Sequence, residues 1–274
     1  MNILITGANG YLSRFLLKHI DRNKFNEIIC LIHSEKIFKE NFFLYENCKI
    51  YKGNISKENF IKEVFEDNKI DYVIHTAALK YIDNCELFQE DCIKTNMLGT
   101  FYLCKYSKKY KIKNLLTIST DKANKPSSLY GISKLASEHI TLSHGFSVYQ
   151  GVNFWNSDGS FLQKWKTAIK NNNKIILYNE KYVRHFIMPN DIAKELLELV
   201  FINNNKINYP KYCYEIKLLD IFKILKEISP SSNYIIQTNT NTFEKYIEEI
   251  NENIKVLKLT KKQIKDKLYN IINN

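Results

Sequence analysis

The chain has 274 residues, 45% hydrophobic and 25% charged, which is ample for one large domain or one domain with a smaller appendage. No apolar run reaches the roughly 18 residues that a membrane span needs, so no membrane insertion is expected. The net charge of +11 is spread over abundant Lys without a basic block, and no zinc-finger spacing or RNA-binding aromatic motif accompanies it, which argues against nucleic acid as a partner.

The first ten residues, "MNILITGANG", read as a strand and a turn and carry no basic-then-apolar leader. The six cysteines form no C-x-x-C pair and sit mostly among apolar residues. Free thiols in a reducing cytoplasm are the expectation, with no metal site.

In chain order, "NILIT" (2–6) predicts a strand and "YLSRFLLKHI" (11–20) a helix. "EIICLI" (27–32) is a second strand, followed by a helix at 60–68 and a strand, "DYVIHTA", at 71–77. A helix is predicted over 93–110, a strand at 114–119, a helix over 129–144, a single strand over 146–154 and a helix at 191–202. Alternation of this kind predicts an α/β fold, a doubly wound parallel sheet of the Rossmann type with a smaller C-terminal substrate-binding part. Residues 1–150, joined by 185–202, are expected to form the larger domain, and 151–184 with 203–274 the smaller region. In the tail, Ile247, Ile250, Ile254 and Leu257, then Ile264, Leu268 and Ile271, recur at helical spacing, so an amphipathic helix, packed or lid-forming, is expected there.

"TGANGYLS" (6–13) joins the first strand to the first helix. Gly7 and Gly10 let the backbone turn tightly and approach a pyrophosphate, with Asn9, Tyr11 and Leu12 around them, and the helix N-terminus offers N–H groups and a positive dipole end. Ser13 stands at the third glycine position and is small enough for helix-on-strand packing. The second strand ends in His33 and Ser34, with Glu35 and Lys36 beyond. Neutral or basic groups there suit a 2′-phosphate and point to NADP, whereas an inward-turned Glu35 would select NAD. Asn54 and Ile55 are placed by the adenine. Thr76, Ala77 and Ala78 supply small residues where the cofactor passes.

"STDKANKPSSLYGISK" (119–134) carries the chemistry. Tyr130 and Lys134, one helical turn apart, form a pair in which the ammonium lowers the phenol pKa and also reaches a ribose. Tyr130 can then take a proton from a sugar hydroxyl while hydride leaves for a nicotinamide, with Thr120 holding the same hydroxyl. A surface helix pair is the plain alternative for any Tyr-x-x-x-Lys. The apolar strand before it and the dinucleotide loop upstream favour function.

These stretches, with "AALKYI" (77–82), "IKTNMLGT" (93–100) and "VRHFIMPNDIA" (183–193), resemble the extended short-chain dehydrogenase/reductase family. Within it the chain is most similar to the inverting UDP-N-acetylglucosamine 4,6-dehydratases of polysaccharide biosynthesis. The resemblance implies a C5 base at Lys122 and an acid for the departing C6 hydroxyl at Asp121. It implies substrate contacts at Lys80, Asn153 and Arg184, a bracing helix residue at Asn96 beside the cofactor, a nucleotide-sugar substrate and a homo-oligomer. Gln150, Asp158, Asn241 and Phe243 depart from the family's pattern, and the departures at Gln150, Asp158 and Asn241 are expected to remove positive charge from the diphosphate region. Three readings follow: a 4,6-dehydratase with or without C5 inversion; an epimerase or NADPH-dependent ketoreductase, which needs Thr120, Tyr130 and Lys134 alone; and a cofactor-binding protein without turnover.

Overall fold

The computed structural model describes residues 1–33, 40–237 and 249–273. The chain divides into two compact units, Met1–Gly151 with Pro189–Pro210, and Val152–Met188 with Lys211–Asn274. Ser34, Glu35 and Lys36, and Ile247, Asn241 and Phe243 in the tail, lie outside the described residues.

The first unit is built on β1 (Asn2–Thr6), β2 (Glu27–Ile32), β3 (Cys48–Lys52), β4 (Tyr72–His75), β5 (Asn114–Thr120), β6 (Ser147–Gly151) and β10 (Ile207–Asn208). They form one parallel sheet in the order β10-β6-β5-β4-β1-β2-β3. Central strands of such a sheet are covered on both faces, so they read as continuous rather than alternating apolar runs. All seven residues of β5 are buried. Leu4, Ile29, Leu31, Val73 and Leu115 from the strands pack with Ile61, Val64 and Phe65 of α2 (Glu58–Asp67) and Leu103 of α5 (Gly99–Lys109). The strand order reverses between β1 and β4, and in open sheets ligands bind at the carboxyl ends beside such a switch point.

α1 (Tyr11–His19) buries Leu12, Ser13, Leu16 and Leu17 and ends in Lys18 and His19, which suit the negative end of its dipole. α3 (Ile82–Leu87) and α4 (Gln89–Cys92) lead into a π-helical stretch, Ile93–Leu98, before α5. Single π turns inside helices recur at functional sites. α6 (Leu129–Ser143) starts at Ser128, whose hydroxyl accepts from the Gly131 N–H at 3.2 Å.

The second unit holds a four-stranded sheet of β7 (Asn153–Phe154), β9 (Val183–Ile187), β11 (Tyr212–Lys217) and β13 (Lys255–Lys258), and a ribbon of β8 (Ile175–Leu177) with β12 (Tyr234–Ile236). Trp155, Phe186 and Ile216 pack with Leu162 and Trp165 of α7 (Phe161–Lys170), Phe222 and Leu225 of α9 (Leu218–Ile228), and Ile264, Leu268 and Ile271 of α10 (Lys261–Asn273).

Three boundaries differ from the sequence reading. The strand expected over 146–154 breaks at Val152, with β6 in one sheet and β7 in the other. The chain re-enters the first unit at Pro189 rather than 185, because Val183–Ile187 pairs with β11, and it remains there to Pro210, because β10 pairs with β6 and α8 (Pro189–Leu199) precedes it. The tail is not one helix: Lys255–Lys258 pairs in parallel with β11, and helix begins only at Lys261. There the ladder hydrogen bonds offered by β11 outweigh a helical period carried by few apolar residues.

Candidate active site

Gly7 follows β1 with φ +60°, and a Cβ there would lie 2.8 Å from Ala77 Cα. Only glycine accepts both that backbone region and that approach without strain. Gly10 caps α1 with its N–H on Gly7 O at 2.8 Å. No side chain caps this helix and its first turn holds no acidic residue, so its N–H groups and dipole suit an anion. This cradle fits a dinucleotide pyrophosphate. Asn9 and Leu12 are buried beside it, Arg14 Nη1 donates to Asn9 O at 3.1 Å, and the Arg14 guanidinium carbon lies 5.8 Å from the centre of the Tyr11 ring.

Two contacts of this loop escaped the sequence reading. Ser13 is fully buried with its Oγ 2.7 Å from Thr76 Oγ1, and Thr76 Oγ1 donates to Thr6 O at 2.7 Å. The residue at the third glycine position thus ties α1 to the end of β4. Tyr45, buried from the segment before β3, donates its phenol proton to Ala8 O at 3.1 Å. No local signal announces a contact across that separation.

At the end of β2, His33 is exposed. Asn54 Oδ1 accepts from Ser56 N at 2.9 Å, which shapes the turn after β3. The Ile55 side chain joins the apolar core, packed under Gly99. Ala77 N donates to Thr6 Oγ1 at 3.3 Å; Ala77 and Ala78 are half-buried. Asn96 is buried in the π-helical stretch. It accepts from Leu79 N at 2.8 Å and donates to Leu79 O at 3.0 Å and to Ser133 Oγ at 2.9 Å. It therefore clamps the chain after β4 to α6.

The five residues expected to act on substrate come together at the end of β5. Thr120 Oγ1 donates to Asp121 Oδ1 at 2.9 Å, and Lys122 Nζ reaches the same oxygen at 3.3 Å. Thr120 also caps the short turn Asp121–Ala123. A Cβ on Gly131 would collide with the Lys122 carbonyl oxygen, so glycine is what lets α6 press against this turn. Asp121 is buried and Lys122 about a quarter exposed. Burial pushes the Tyr130 phenol up to about 12; the Lys122 charge and a hydrogen bond with Thr120 oppose that, while Asp121 adds to it. Lys134 Nζ donates to Ile118 O at 2.6 Å. Among the charges around the phenol, that of Lys122 lowers it most. Burial brings Lys134 down to about 8, against the raising field of Glu138.

Lys80 is exposed, with Nζ 5.1 Å from the centre of the Tyr81 ring. Asn153 and Arg184 belong to the second unit. Asn153 Nδ2 donates to His185 O at 3.0 Å. Arg184 is buried, its guanidinium 4.5 Å from the centre of the Tyr182 ring and its Nη1 donating to Val183 O at 3.0 Å. Gln150 is corrected: it does not thin out a diphosphate site, since it is buried in the first unit with Nε2 on Glu138 Oε1 at 2.9 Å. Among the described residues, no group of three or more His, Cys, Asp or Glu is placed to hold a metal ion, and no helix is long and apolar enough to cross a membrane.

A seven-stranded parallel sheet with a glycine cradle after β1 at its switch point and a Thr-Asp-Lys…Tyr-x-x-x-Lys cluster after β5, two strands along, defines the extended short-chain dehydrogenase/reductase class. Residues 3–261 match the family model described as polysaccharide biosynthesis protein, and the chain belongs to that family. It is 30% identical over 209 residues to the UDP-N-acetylglucosamine 4,6-dehydratase (inverting) of Campylobacter jejuni, covering 72% of this chain and 62% of that protein. It is 31% identical over 202 residues to a UDP-glucose 4-epimerase of Rickettsia bellii, covering 68% of this chain and 58% of the relative. The chain thus spans about three-fifths of the length of both. The solved dTDP-glucose 4,6-dehydratase of Streptomyces venezuelae, with NAD bound, shares the fold with a TM-score of 0.85 at 14% identity, covering 100% of this chain and 98% of its own.

Proposed function

We propose that this protein is a nucleotide-sugar 4,6-dehydratase that uses a nicotinamide dinucleotide and makes a 4-keto-6-deoxy sugar nucleotide for surface glycan synthesis. The observation that carries this reading is the Lys122–Asp121 contact at 3.3 Å, joined through the same oxygen to Thr120. One proton shift along it turns an ion pair into an amine and a carboxylic acid. An amine and a carboxylic acid are the two states an elimination requires of its base and its acid.

Tyr130 and Thr120 meet the C4 hydroxyl, and Tyr130 takes its proton. When bound, the oxidised nicotinamide supplies a positive charge and a reversible two-electron acceptor. The added charge favours the phenolate of a group that otherwise holds its proton at neutral pH. The resulting C4 ketone acidifies C5–H. Lys122 as amine removes that proton while Asp121 protonates the departing C6 hydroxyl, and one water leaves. The C5–C6 double bond is then reduced by the electrons taken from C4, with Lys122 returning a proton to C5. The sugar loses one water and the cofactor shows no net change.

Among the described residues the end of β2 is the exposed His33, a neutral or basic group, which supports NADP over NAD. Lys80, Asn153 and Arg184 are assigned to substrate, Arg184 to the nucleotide diphosphate. Five of the six free cysteines are buried, in keeping with a reducing cytoplasm. Leu87, Phe88, Ile93, Phe101 and Ile132 of the first unit are exposed, which supports a homo-oligomer.

The 31% identity to a UDP-glucose 4-epimerase favours one second reading, C4 epimerisation, for which Asp121 and Lys122 are dispensable. The two separate in heavy water. A dehydratase product loses one water and gains a deuteron at C5, and Lys122→Ala abolishes it while C4 oxidation persists. Full turnover of Lys122→Ala, or a product of unchanged mass, gives the site to the epimerase.

A further inference from the structure

One turn after Lys134 on α6 stands a carboxylate that the chemistry above does not use. Glu138 is only 3% exposed, and its Oε1 accepts from Ser119 Oγ of β5 at 2.5 Å and from Gln150 Nε2 of β6 at 2.9 Å. Lys134, itself 5% exposed, donates to Ile118 O at 2.6 Å. Consecutive residues of β5 are thus held from one helix, Ile118 through its carbonyl and Ser119 through its side chain, and the next residue is Thr120. The donors on Glu138 are a hydroxyl and an amide. Neither cancels its charge, so its field acts on the nearby ammonium.

We propose that Glu138 is a positioning residue of this site, holding Lys134 as an ammonium against the end of β5, with Gln150 as the neutral donor that keeps the carboxylate in place without neutralising it. The assignment rests on the role given to Lys134 above. The groups that face Lys134 from other elements do not replace it. Cys85 of α3 and Cys92 of α4 are buried thiols whose raising effect on Lys134 is smaller than that of Glu138, and burial forces the Cys85 thiol upward. His75 of β4 is kept neutral, lowered to about 3 by burial and by Lys134 itself. A merely structural Glu138 would affect stability; a positioning one sets the pH at which Lys134 loses its proton.

Two readouts test this on the full chain. The first is pH-dependent acetylation of Lys134 by acetic anhydride, followed on its peptide by mass spectrometry, which needs neither cofactor nor turnover. The second is the dissociation constant of NADP⁺ and NAD⁺ by calorimetry across pH. In Glu138→Gln, nearly isosteric but uncharged, the half-point of acetylation moves about one pH unit lower, and the alkaline loss of cofactor affinity moves with it, about tenfold at a fixed pH on that limb. Glu138→Asp restores the wild-type position. Gln150→Arg, which keeps Glu138 but neutralises it, gives the same downward shift and serves if Glu138→Gln fails to fold. Unchanged acetylation half-points in Glu138→Gln or Gln150→Arg, with only a lower Tm, overturn the proposal. If wild type binds neither dinucleotide while the acetylation shift stands, the functional reading fails and the role of Glu138 does not.

Discussion

Ser13 Oγ lies 2.7 Å from Thr76 Oγ1, and because Thr76 spends its own proton on the Thr6 carbonyl, Ser13 is the donor of the pair. Ser13→Ala leaves no donor stranded and removes one buried hydrogen bond. The expected loss is about 1 kcal/mol, a fall in Tm of about 2–4 °C by calorimetry. Ser13→Gly should fall further, since glycine adds its own helix penalty of several tenths of a kcal/mol. Equal melting of wild type and Ser13→Ala would show that the hydroxyl is not a tie.

Gly131→Ala is a second test, because two effects predict opposite signs. Glycine inside an exposed helix costs about 1 kcal/mol relative to alanine. Here the added methyl meets the Lys122 carbonyl and, at 3.0 Å, Pro126 Cβ. Overpacking of about 1–3 kcal/mol should win, and the variant should melt lower than wild type. Because the displaced turn carries Asp121 and Lys122, kcat should drop while cofactor affinity holds. A more stable, fully active variant would remove the steric account.

His75 gives a pH dependence. Its Nδ1 is 2.7 Å from Thr6 Oγ1 and its Nε2 3.0 Å from Thr100 Oγ1, and burial holds it near 3, well below an exposed imidazole. Between the ordinary histidine value of about 6.5 and that value, the unfolded chain binds a proton that the folded chain refuses. The contribution of neutral His75 is therefore complete above about pH 6.5 and declines as pH falls, by about 1.4 kcal/mol per unit. Denaturant unfolding at pH 7, 6 and 5 measures it. His75→Gln, less stable at pH 7, should show a flatter slope; an identical slope would assign the acid lability to other groups.

The cofactor prediction is calorimetric. With His33 at the end of β2, NADP⁺ should bind more tightly than NAD⁺, and His33→Asp should narrow or reverse the difference. A wild-type preference for NAD⁺ would place the ribose reader among residues other than His33.

Much of this was readable in sequence because it is local. The strands β1, β2, β4 and β5 show as apolar runs, whereas β3 and β10 carry too few apolar residues to show; Gly7 announces itself by the turn after β1, and Thr120, Tyr130 and Lys134 by their spacing. What was not readable joins distant segments. Tyr45 on Ala8, Ser13 on Thr76, and Ser119 with Gln150 on Glu138 are partnerships between elements whose pairing no periodicity encodes. Gln150 misled for that reason: an uncharged residue where a cation was expected looked like a change at the substrate, yet its amide serves a buried carboxylate. The tail misled differently. Ile254 and Leu257 fit a helical period, but β11 offered Lys255–Lys258 a ladder of hydrogen bonds that the pattern alone could not foresee.

The first unit closes late. Its sheet ends at β10, which pairs with β6 only after the intervening stretch Val152–Met188 has been made, and α8, whose Asn190 Oδ1 lies 2.8 Å from His19 Nε2 of α1, also follows that stretch. On the ribosome, the growing chain therefore exposes the bare edge of β6 until Pro210 has emerged. An unpaired strand edge is a template for association with other chains. A stop codon or ribosomal stall between Gly151 and Pro210 would release a nascent chain with the glycine cradle and catalytic helix already encoded, yet one strand short of a finished sheet, and such fragments should be substrates for chaperones rather than small working enzymes.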